Sequence, residues 1–183
     1  MTKLTVIAGP TAVGKGTVVR YLLEQNPEIL VSVSATTRQP RAGEVHGREY
    51  LFVTNEAFDQ MIASNELLEY AVVHQLNRYG TPRGPVEQAI KAGKQMILEI
   101  DIQGAQQVKD SMPEANLIFI APPDLDELKR RLVGRGTESP EEIAIRLGTA
   151  EIEMKAQEWF DHVVINREVA QCAQEVLDLM KSS

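Results

Sequence analysis

Residues 4–17 of the chain read LTVIAGPTAVGKGT and contain its strongest local signal of fold. The first five residues of this stretch are apolar or β-branched, which is typical of a buried strand. A glycine-rich turn follows, and a helical pattern at residues 16–23 begins directly after it. The turn places Gly9 and Gly14 at its two ends with Lys15 next, which is the spacing GxxxxGK. A strand, this loop and a helix in immediate succession predict a phosphate-binding loop, or P-loop.

The glycine-rich turn has the chemistry of an anion-binding loop. Its glycines allow backbone N–H groups to turn inward around phosphate oxygens, and the following helix adds the positive end of its dipole. Lys15 is long enough to reach the β- and γ-phosphates of a nucleotide. An ordinary turn between a strand and a helix is the alternative, and the lysine at this spacing disfavours it. The residues expected to bind the nucleoside triphosphate are Gly9, Pro10, Thr11, Ala12, Val13, Gly14, Lys15, Gly16 and Thr17.

The position after the lysine departs from the strict form of the motif, which has Ser or Thr there to bind magnesium. Here it is Gly16, and the hydroxyl comes one residue later, at Thr17. Asp101 follows a second apolar run and has two interpretations: an acid at the ligand-binding edge of the sheet, or the cap of the next helix. Mg²⁺ is therefore expected to be held mainly by nucleotide phosphates and water, with Thr17 and Asp101 as the protein groups that could help.

Size, charge and cysteine content limit the class of protein. The chain has 183 residues, of which 43% are apolar and 25% charged, as is ordinary for one globular domain. Its net charge of −7 argues against nucleic acid as a partner. No stretch approaches the roughly 20 apolar residues of a membrane span. Because Cys172 is its one cysteine, no disulfide can form within the chain, and a cytoplasmic location is expected.

Short apolar runs alternate with helical patterns over most of the chain. This alternation is typical of βαβ units, so the expected fold is α/β with three layers and a central parallel sheet. Two regions break the pattern: residues 34–81 contain β-rich segments and indicate an inserted subdomain, and residues 134–140 indicate a mobile loop. The later strands are predicted at residues 96–100, 117–120 and 163–165, and the later helices at residues 86–92, 103–111, 125–132 and from 169 onward.

The segment SVSATTRQPRAGE at residues 32–44 is the most specific part of the sequence. It resembles the GMP-binding signature of the guanylate kinase family, and the resemblance extends over nearly the whole chain. It implies a P-loop core at residues 1–33, 82–133 and 147–183, an inserted GMP-binding subdomain at 34–81 and a mobile lid at 134–146. The other matching segments are GREY at 47–50, LLE at 67–69, YGT at 79–81, EIDIQG at 99–104 and GRGT at 134–137, followed by the helix that carries Arg146.

The resemblance implies GMP as the phosphoryl acceptor, and the chemistry of the matching residues agrees with it. Guanine presents two adjacent donors, N1–H and the N2 amine, beside the O6 acceptor. One carboxylate can accept from both donors and one hydroxyl can donate to O6, and Glu69 and Ser34 match those roles in the family. Arg38 and Arg41 can hold a monophosphate with forked hydrogen bonds. The residues expected to bind GMP, and dGMP with it, are Ser34, Arg38, Arg41, Tyr50, Glu69, Tyr79, Thr81 and Asp101.

The same resemblance implies transfer of the γ-phosphoryl group of ATP to GMP with the help of Mg²⁺. A phosphate oxygen of GMP is already a charged nucleophile, so the expected catalysis is alignment and charge neutralisation. Asn166 stands where the family often contacts the adenine of ATP, although Arg167 follows it where an acid is common. Arg131 is a weaker candidate for the positive field around the phosphates. The residues expected to act in catalysis are Lys15, Arg38, Arg135 and Arg146.

Two alternatives stay open at the level of sequence. Adenylate kinase or another nucleoside monophosphate kinase would share the loop, although Ser34 and Glu69 favour guanine. A guanylate-kinase-like scaffold module would bind partners without catalysis, although such modules typically lose the phosphate-loop and substrate residues that are present here. The oligomeric state is left open.

Overall fold

The computed structural model of the chain describes residues 3–73, 77–134 and 140–182. A short 3₁₀ helix at Lys155–Trp159 adds to the elements that are numbered below. The strands are β1 Leu4–Ala8, β2 Leu30–Val31, β3 Ala35–Thr36, β4 Leu51–Phe52, β5 Leu67–Val73, β6 Asn77–Pro82, β7 Met96–Glu99, β8 Asn116–Ala121 and β9 His162–Ile165. The helices are α1 Lys15–Gln25, α2 Asn55–Ala63, α3 Arg83–Lys91, α4 Ile102–Ser111, α5 Leu125–Gly134, α6 Pro140–Met154 and α7 Val169–Ser182.

The centre of the molecule is a parallel sheet with the strand order β2-β7-β1-β8-β9. The strand that precedes the glycine loop, β1, is therefore the middle strand. Helices pack on both faces of the sheet, and the expected α/β fold with a central parallel sheet is confirmed. The predicted strands at residues 4–8, 96–100, 117–120 and 163–165 are all present, with bounds that differ by one residue at most in the last three.

Alternate side chains of the central strands enter two separate cores. Leu4, Val6 and Ala8 pack on the layer that contains α3 and α4, whereas Ile7 packs on the layer that contains α1 and α7. All five residues of β1 are buried. Because both faces of the sheet are covered by helices, the strand is a continuous apolar run rather than an alternation of apolar and polar residues.

The last helix confirms the apolar stripe that its sequence indicates. In α7 the residues at spacings of three and four are buried, and the helix packs against α1. Across the described ranges, no helix is both long enough and apolar enough to span a membrane. The buried residues of the stripe are Cys172, Ala173, Val176, Leu177 and Met180.

A second sheet lies between residues 35 and 82 and has the strand order β4-β3-β6-β5. In this sheet β6 pairs antiparallel with both β3 and β5. Its small core consists of Ala35, Phe58 and Leu67, and Phe58 comes from α2. The sequence indicated strands in this region but not α2, which begins where the Thr54 hydroxyl accepts a hydrogen bond from the Ala57 N–H at 3.2 Å.

The carboxyl ends of β1 and β7 bring two distant segments of sequence together. The two strands are parallel neighbours, and their register pairs Ile7 with Glu99. The glycine loop at residues 9–14 leaves one strand and the segment 99–101 leaves the other, on the same edge of the sheet. Ligands of open α/β sheets bind at this edge, so the fold itself places the phosphate loop beside these acids.

Replacing Gly9 with alanine is expected to destabilise the protein by about 3 kcal/mol or more, because the loop passes very close to β8. Gly9 has a φ of 149°, and a Cβ at this position would lie 2.2 Å from the carbonyl oxygen of Ile120. The free energy of unfolding in urea measures this effect. As a control, Gly148→Ala in α6 meets no atom within 4 Å and should stabilise the helix by about 0.5 to 1 kcal/mol. Equal stabilities for the two variants would contradict the close approach.

Candidate active site

The glycine loop and the start of α1 form one side of the candidate site. Three of the loop residues have a positive φ: Gly9 at 149°, Ala12 at 64° and Gly14 at 98°. Gly14 begins α1 without a side-chain cap, and the positive end of the helix dipole faces the loop, where it favours an anion. The Lys15 Nζ donates to the carbonyl oxygens of Gly9 at 2.6 Å and Pro10 at 3.3 Å, so the ammonium lies over the loop.

A cavity of about 350 Å³ lies against this loop. It is lined by most of the residues that the sequence assigns to the triphosphate, together with Arg20 from α1 and Glu99 from β7. Its backbone N–H groups and cations suit the phosphates of a nucleotide. The lining residues are Pro10, Ala12, Gly14, Lys15, Gly16, Thr17, Arg20 and Glu99.

A second cavity, of about 300 Å³, opens between the loop and the smaller sheet. It brings together five of the eight residues that the sequence assigns to the acceptor nucleotide, and Lys15 and Glu99 are shared with the first cavity. The two cavities therefore meet at the lysine of the P-loop. The lining residues are Lys15, Ser34, Tyr50, Glu69, Ala71, Tyr79, Glu99, Ile100 and Asp101.

Glu69 is a buried carboxylate in the wall of the second cavity, with 5% of the residue exposed. Its Oε1 accepts a hydrogen bond from the Thr81 hydroxyl at 2.7 Å across the β5–β6 pair. Burial raises the pKa of Glu69 to about 7, against the opposing effect of the Thr81 hydrogen bond, and the charge of Asp101 raises it further. Gly104 makes room for this side chain, since a Cβ there would lie 2.6 Å from Glu69 Oε2. Thr81 thus supports Glu69 from behind and does not line the cavity.

Arg38 is held by a carboxylate that the sequence analysis did not single out. Its two terminal nitrogens donate to Glu44 Oε2 at 3.0 Å and Oε1 at 2.8 Å, and its Nε donates to the Tyr79 hydroxyl at 3.2 Å. Its guanidinium lies 5.4 Å from the centre of the Tyr50 ring. Arg41 is exposed, and its backbone N–H also donates to Glu44, at 2.7 Å. Glu44 therefore connects the two arginines expected to bind the acceptor phosphate.

Asp101 combines the two interpretations that its sequence allowed. Its Oδ1 accepts a hydrogen bond from the Gly104 N–H at 2.7 Å and so caps α4, while the residue also lines the acceptor cavity. Glu99, two residues earlier, lines both cavities, and a Cβ on Gly16 would lie 3.2 Å from its Oε1. Burial raises the pKa of Glu99 above its ordinary value, although the charge of the nearby Lys15 acts in the opposite direction. Glu99 thus lies beside the first turn of the P-loop helix, and its position at the end of an apolar run was the available signal.

The remaining sequence-predicted residues lie around these cavities in different ways. Asn166 is 2% exposed and its amide donates to the carbonyl oxygen of Val13, so it lies against the back of the glycine loop. Arg131 contacts the same carbonyl from α5. Arg146 is half-buried on α6, and Arg135 lies outside the described residues. A further acid, Glu153 on α6, accepts from the Thr11 N–H at 3.3 Å.

The geometry defines a class of enzyme. A P-loop and a second pocket with a buried carboxylate meet at one lysine, and Arg38 contacts two tyrosines that line the second pocket. This is the arrangement of a kinase that phosphorylates a nucleotide. The family model described as guanylate kinase matches residues 1–183. The chain belongs to the guanylate kinase family, whose members transfer the γ-phosphoryl group of ATP to GMP.

Individual relatives agree with the family assignment. A guanylate kinase of Leifsonia xyli subsp. xyli is 60% identical over 177 residues, which are 97% of this chain and 70% of that protein. A guanylate kinase of Nocardia farcinica is 53% identical over 182 residues, 99% of this chain and 94% of the relative. The crystal structure of guanylate kinase from Anaplasma phagocytophilum matches with a TM-score of 0.78 at 32% identity, over 98% of this chain and 84% of that one. These matches confirm the resemblance seen in the sequence. They favour a guanylate kinase over the two alternatives, an adenylate kinase and a scaffold module.

Proposed function

We propose that the two cavities hold ATP on the P-loop and GMP against Glu69, and that the γ-phosphoryl group passes between them beside Lys15. The observation that carries this assignment is the continuous cleft in which Lys15 lines both cavities and Glu69 lines the second. The nucleotide that accepts the phosphoryl group can then lie with its base at Glu69 and its phosphate at the lysine. Such an arrangement aligns two bound reactants, which is the main source of catalysis in phosphoryl transfer.

Guanine is the base that best satisfies the acceptor cavity. Glu69 has one carboxylate oxygen occupied by Thr81, and the charged group can still accept from the N1–H and N2 amine of guanine. Ser34 lines the same cavity and can donate to O6. Adenine would place the lone pair of its N1 against the carboxylate. A site built on such hydrogen bonds rejects the mismatched base because buried polar groups are left unpaired.

The phosphate of the acceptor is assigned to Arg38, Arg41, Tyr50 and Tyr79. Arg38 and Tyr79 are already joined by a hydrogen bond, and the Tyr50 and Tyr79 rings are 5.7 Å apart, so the group is pre-assembled. The forked guanidinium of Arg38 is shown here binding the two oxygens of a carboxylate, which is also the geometry in which it binds phosphate. This arrangement supports a role for Arg38 both in binding GMP and in neutralising charge at the transferring group.

The groups around Lys15 fit a magnesium ion that is held mainly by phosphates and water. Thr17, Glu99 and Asp101 present oxygen atoms to the cleft, and oxygen is the ligand that Mg²⁺ prefers. Among the described residues, no cluster of three His, Cys, Asp or Glu side chains is arranged to hold a metal by itself. A bound Mg²⁺ would supply positive charge to the phosphates. Glu99 and Asp101 would orient its water ligands.

The proposal also divides the chain into three parts: a lid at residues 134–146, a GMP-binding subdomain at 34–81 and a core formed by the rest. The second sheet and α2 lie at the position of the proposed subdomain. Helix α6 carries Arg146 near its middle and Glu153 near its end, and Glu153 contacts the P-loop. A helix that connects the loop to the lid can bring Arg146, and with it Arg135, to the phosphates when both nucleotides are bound. The single, buried Cys172 supports a cytoplasmic location.

An assay of ADP release with each nucleoside monophosphate tests the assignment. We expect kcat/KM for GMP to exceed that for AMP, CMP and UMP by about 10⁴-fold, because Glu69 pairs with guanine alone. Including dGMP in the series measures how much the 2′-hydroxyl contributes. Equal rates with AMP and GMP would mean that the acceptor pocket does not read guanine.

Replacing Arg146 with alanine is expected to lower kcat about 100-fold, because its charge is needed mainly in the transition state. The affinity for each nucleotide alone should change much less, since the lid closes only on the ternary complex. Equilibrium titrations beside steady-state kinetics separate the two effects. Lys155→Ala removes an exposed positive charge just after the same helix and is the control. If Arg146→Ala changed only the affinity for ATP, Arg146 would be a binding residue and the lid role would be wrong.

A further inference from the structure

The carbonyl oxygen of Val13, in the middle of the P-loop, accepts two side-chain hydrogen bonds from distant parts of the chain. The Asn166 amide Nδ2 donates at 2.8 Å and the Arg131 Nη1 donates at 2.9 Å. Asn166 directly follows β9, and Arg131 belongs to α5. Neither residue is among those that line the cavity against the loop. Both therefore act on the loop from the side opposite to the phosphates.

The two donors are themselves held in place. The Arg131 Nη2 donates to the backbone oxygen of Asn166 at 2.9 Å, and its Nε donates to Glu127 Oε1 at 2.9 Å. The backbone N–H of Asn166 donates to the Ala121 oxygen at 2.8 Å, which fixes it to the end of β8. Each nitrogen of the Arg131 guanidinium thus donates to a protein acceptor. Because Arg131 bonds a carbonyl of the loop and does not line the cavity against it, we treat Arg131 as a support of the loop.

We propose that Asn166 and Arg131 are positioning residues that orient the Val13–Gly14 peptide, so that the Gly14 N–H faces the phosphates of the donor nucleotide. The described residues contain no cis peptide, and the C=O and N–H of a trans peptide point in opposite directions. Holding the Val13 oxygen against Asn166 and Arg131 therefore turns the Gly14 N–H toward the other side of the loop. This inference rests on the proposed binding of ATP at the P-loop.

The backbone of the loop explains why such a support is needed. Ala12 has a φ of 64° and Gly14 a φ of 98°, and a left-handed conformation is unfavourable for a residue with a side chain, as at Ala12. The Val13–Gly14 peptide itself can rotate easily, because glycine adopts positive and negative φ alike, so bonds from outside the loop are needed to fix its orientation. Gly14 also has to be glycine for a second reason, because a Cβ there would lie 2.8 Å from Asn166 Nδ2. The Asn166 amide can therefore reach the Val13 oxygen only because residue 14 has no side chain.

Inorganic tripolyphosphate has the phosphates of ATP but no adenine. Its binding therefore distinguishes support of the loop from a contact to the base. We expect Asn166→Ala and Arg131→Met to weaken the binding of tripolyphosphate and of ATP by the same factor, roughly tenfold each, because each variant removes one hydrogen bond to the loop. The affinity for GMP should stay close to that of the wild type. Isothermal titration on the full chain measures all three ligands and requires no turnover.

Matched controls exclude loss of charge and loss of folding as causes. Arg130→Met removes the same charge from the same helix and the same partner, Glu127, but Arg130 is exposed and donates to Glu127 rather than to the loop. It should bind tripolyphosphate as the wild type does. The double variant Asn166→Ala/Arg131→Met should lose less than the product of the single effects, since both bonds hold one carbonyl. The backbone amide signal of Gly14 should shift on adding tripolyphosphate to the wild type and much less in either single variant.

Two results would overturn the proposal. One is normal tripolyphosphate binding by both single variants. The other is a loss of ATP affinity in Asn166→Ala with tripolyphosphate unaffected, which would show that Asn166 acts on the base. Failure of the proposed transfer to GMP would appear separately, as absent turnover in the wild type with these binding comparisons intact.

Discussion

Replacing Lys15 with alanine is expected to lower kcat about a thousandfold while the affinity for GMP changes little. The Lys15 Nζ lies over the P-loop carbonyls and lines both cavities, so it is the cation common to the donor and the acceptor. Negative charge shifts toward the oxygens around the transferring phosphoryl group as the reaction proceeds. An ammonium held at this point stabilises that charge more in the transition state than in the ground state.

The measurement combines kcat from ADP release with the dissociation constant of GMP. Lys94→Ala removes an exposed lysine far along the chain from the loop and should leave both unchanged. Removing one group that stabilises the transition state usually lowers kcat by about 100-fold to 1000-fold. If kcat of Lys15→Ala stayed within a factor of about ten of the wild type, Lys15 would not have that role. A loss confined to the KM for ATP would reduce Lys15 to a binding residue.

Replacing Glu69 with glutamine is expected to lower kcat/KM for GMP by about 10³-fold or more and to remove most of the preference over AMP. The amide of glutamine would direct N–H donors at the N1–H or N2 amine of guanine, where the carboxylate accepts from both. Because the residue is 5% exposed, water has little access to compensate for the mismatch. Ser34→Ala should have a smaller effect, since it removes only the donor to O6.

The same carboxylate predicts a dependence of GMP binding on pH. Burial raises the pKa of Glu69 to about 7 in the free protein, and the charged form is the one that accepts from guanine. The value of kcat/KM for GMP should therefore fall as the pH is lowered through 7. In Glu69→Gln this step should be absent from the profile. A wild-type profile that is flat between pH 6 and 8 would show that Glu69 is already ionised throughout, contrary to its burial.

Glu69→Gln should also make the ligand-free protein more stable at high pH. Between the ordinary pKa of a glutamate and about 7, the folded protein binds this proton more tightly than the unfolded chain does, so stability falls as pH rises through that window. The variant lacks the desolvated charge and should gain roughly 2 kcal/mol at pH 8, with little difference from the wild type near pH 4.5. Urea unfolding at the two pH values measures it. Glu66→Gln, at an exposed glutamate just before β5, is the control and should show no gain.

The elements that could be predicted are those whose signal is local. The strand at residues 4–8, the glycine loop and α1 follow from a short stretch in which apolar content, glycine spacing and the lysine all agree. The stripe of α7 is visible from its helical period. The helix α2 was not predicted, because only Phe58 among its residues is fully buried and its pattern is correspondingly weak. The acceptor residues were found through their resemblance to a family, since each alone is an ordinary surface or rim residue.

The fold class and the presence of a phosphate loop follow from local sequence, because the period of apolar residues and the geometry of glycine act over neighbouring positions. The packing of distant segments sets which acids lie beside the loop: the register of Ile7 with Glu99 brings in Glu99, and helix α6 brings in Glu153. It also decided what holds the loop. Asn166 and Val13 are 153 positions apart, and Arg131 and Val13 are 118 apart. Contacts over such separations arise only when the helices and strands pack, and no local pattern in the chain records them.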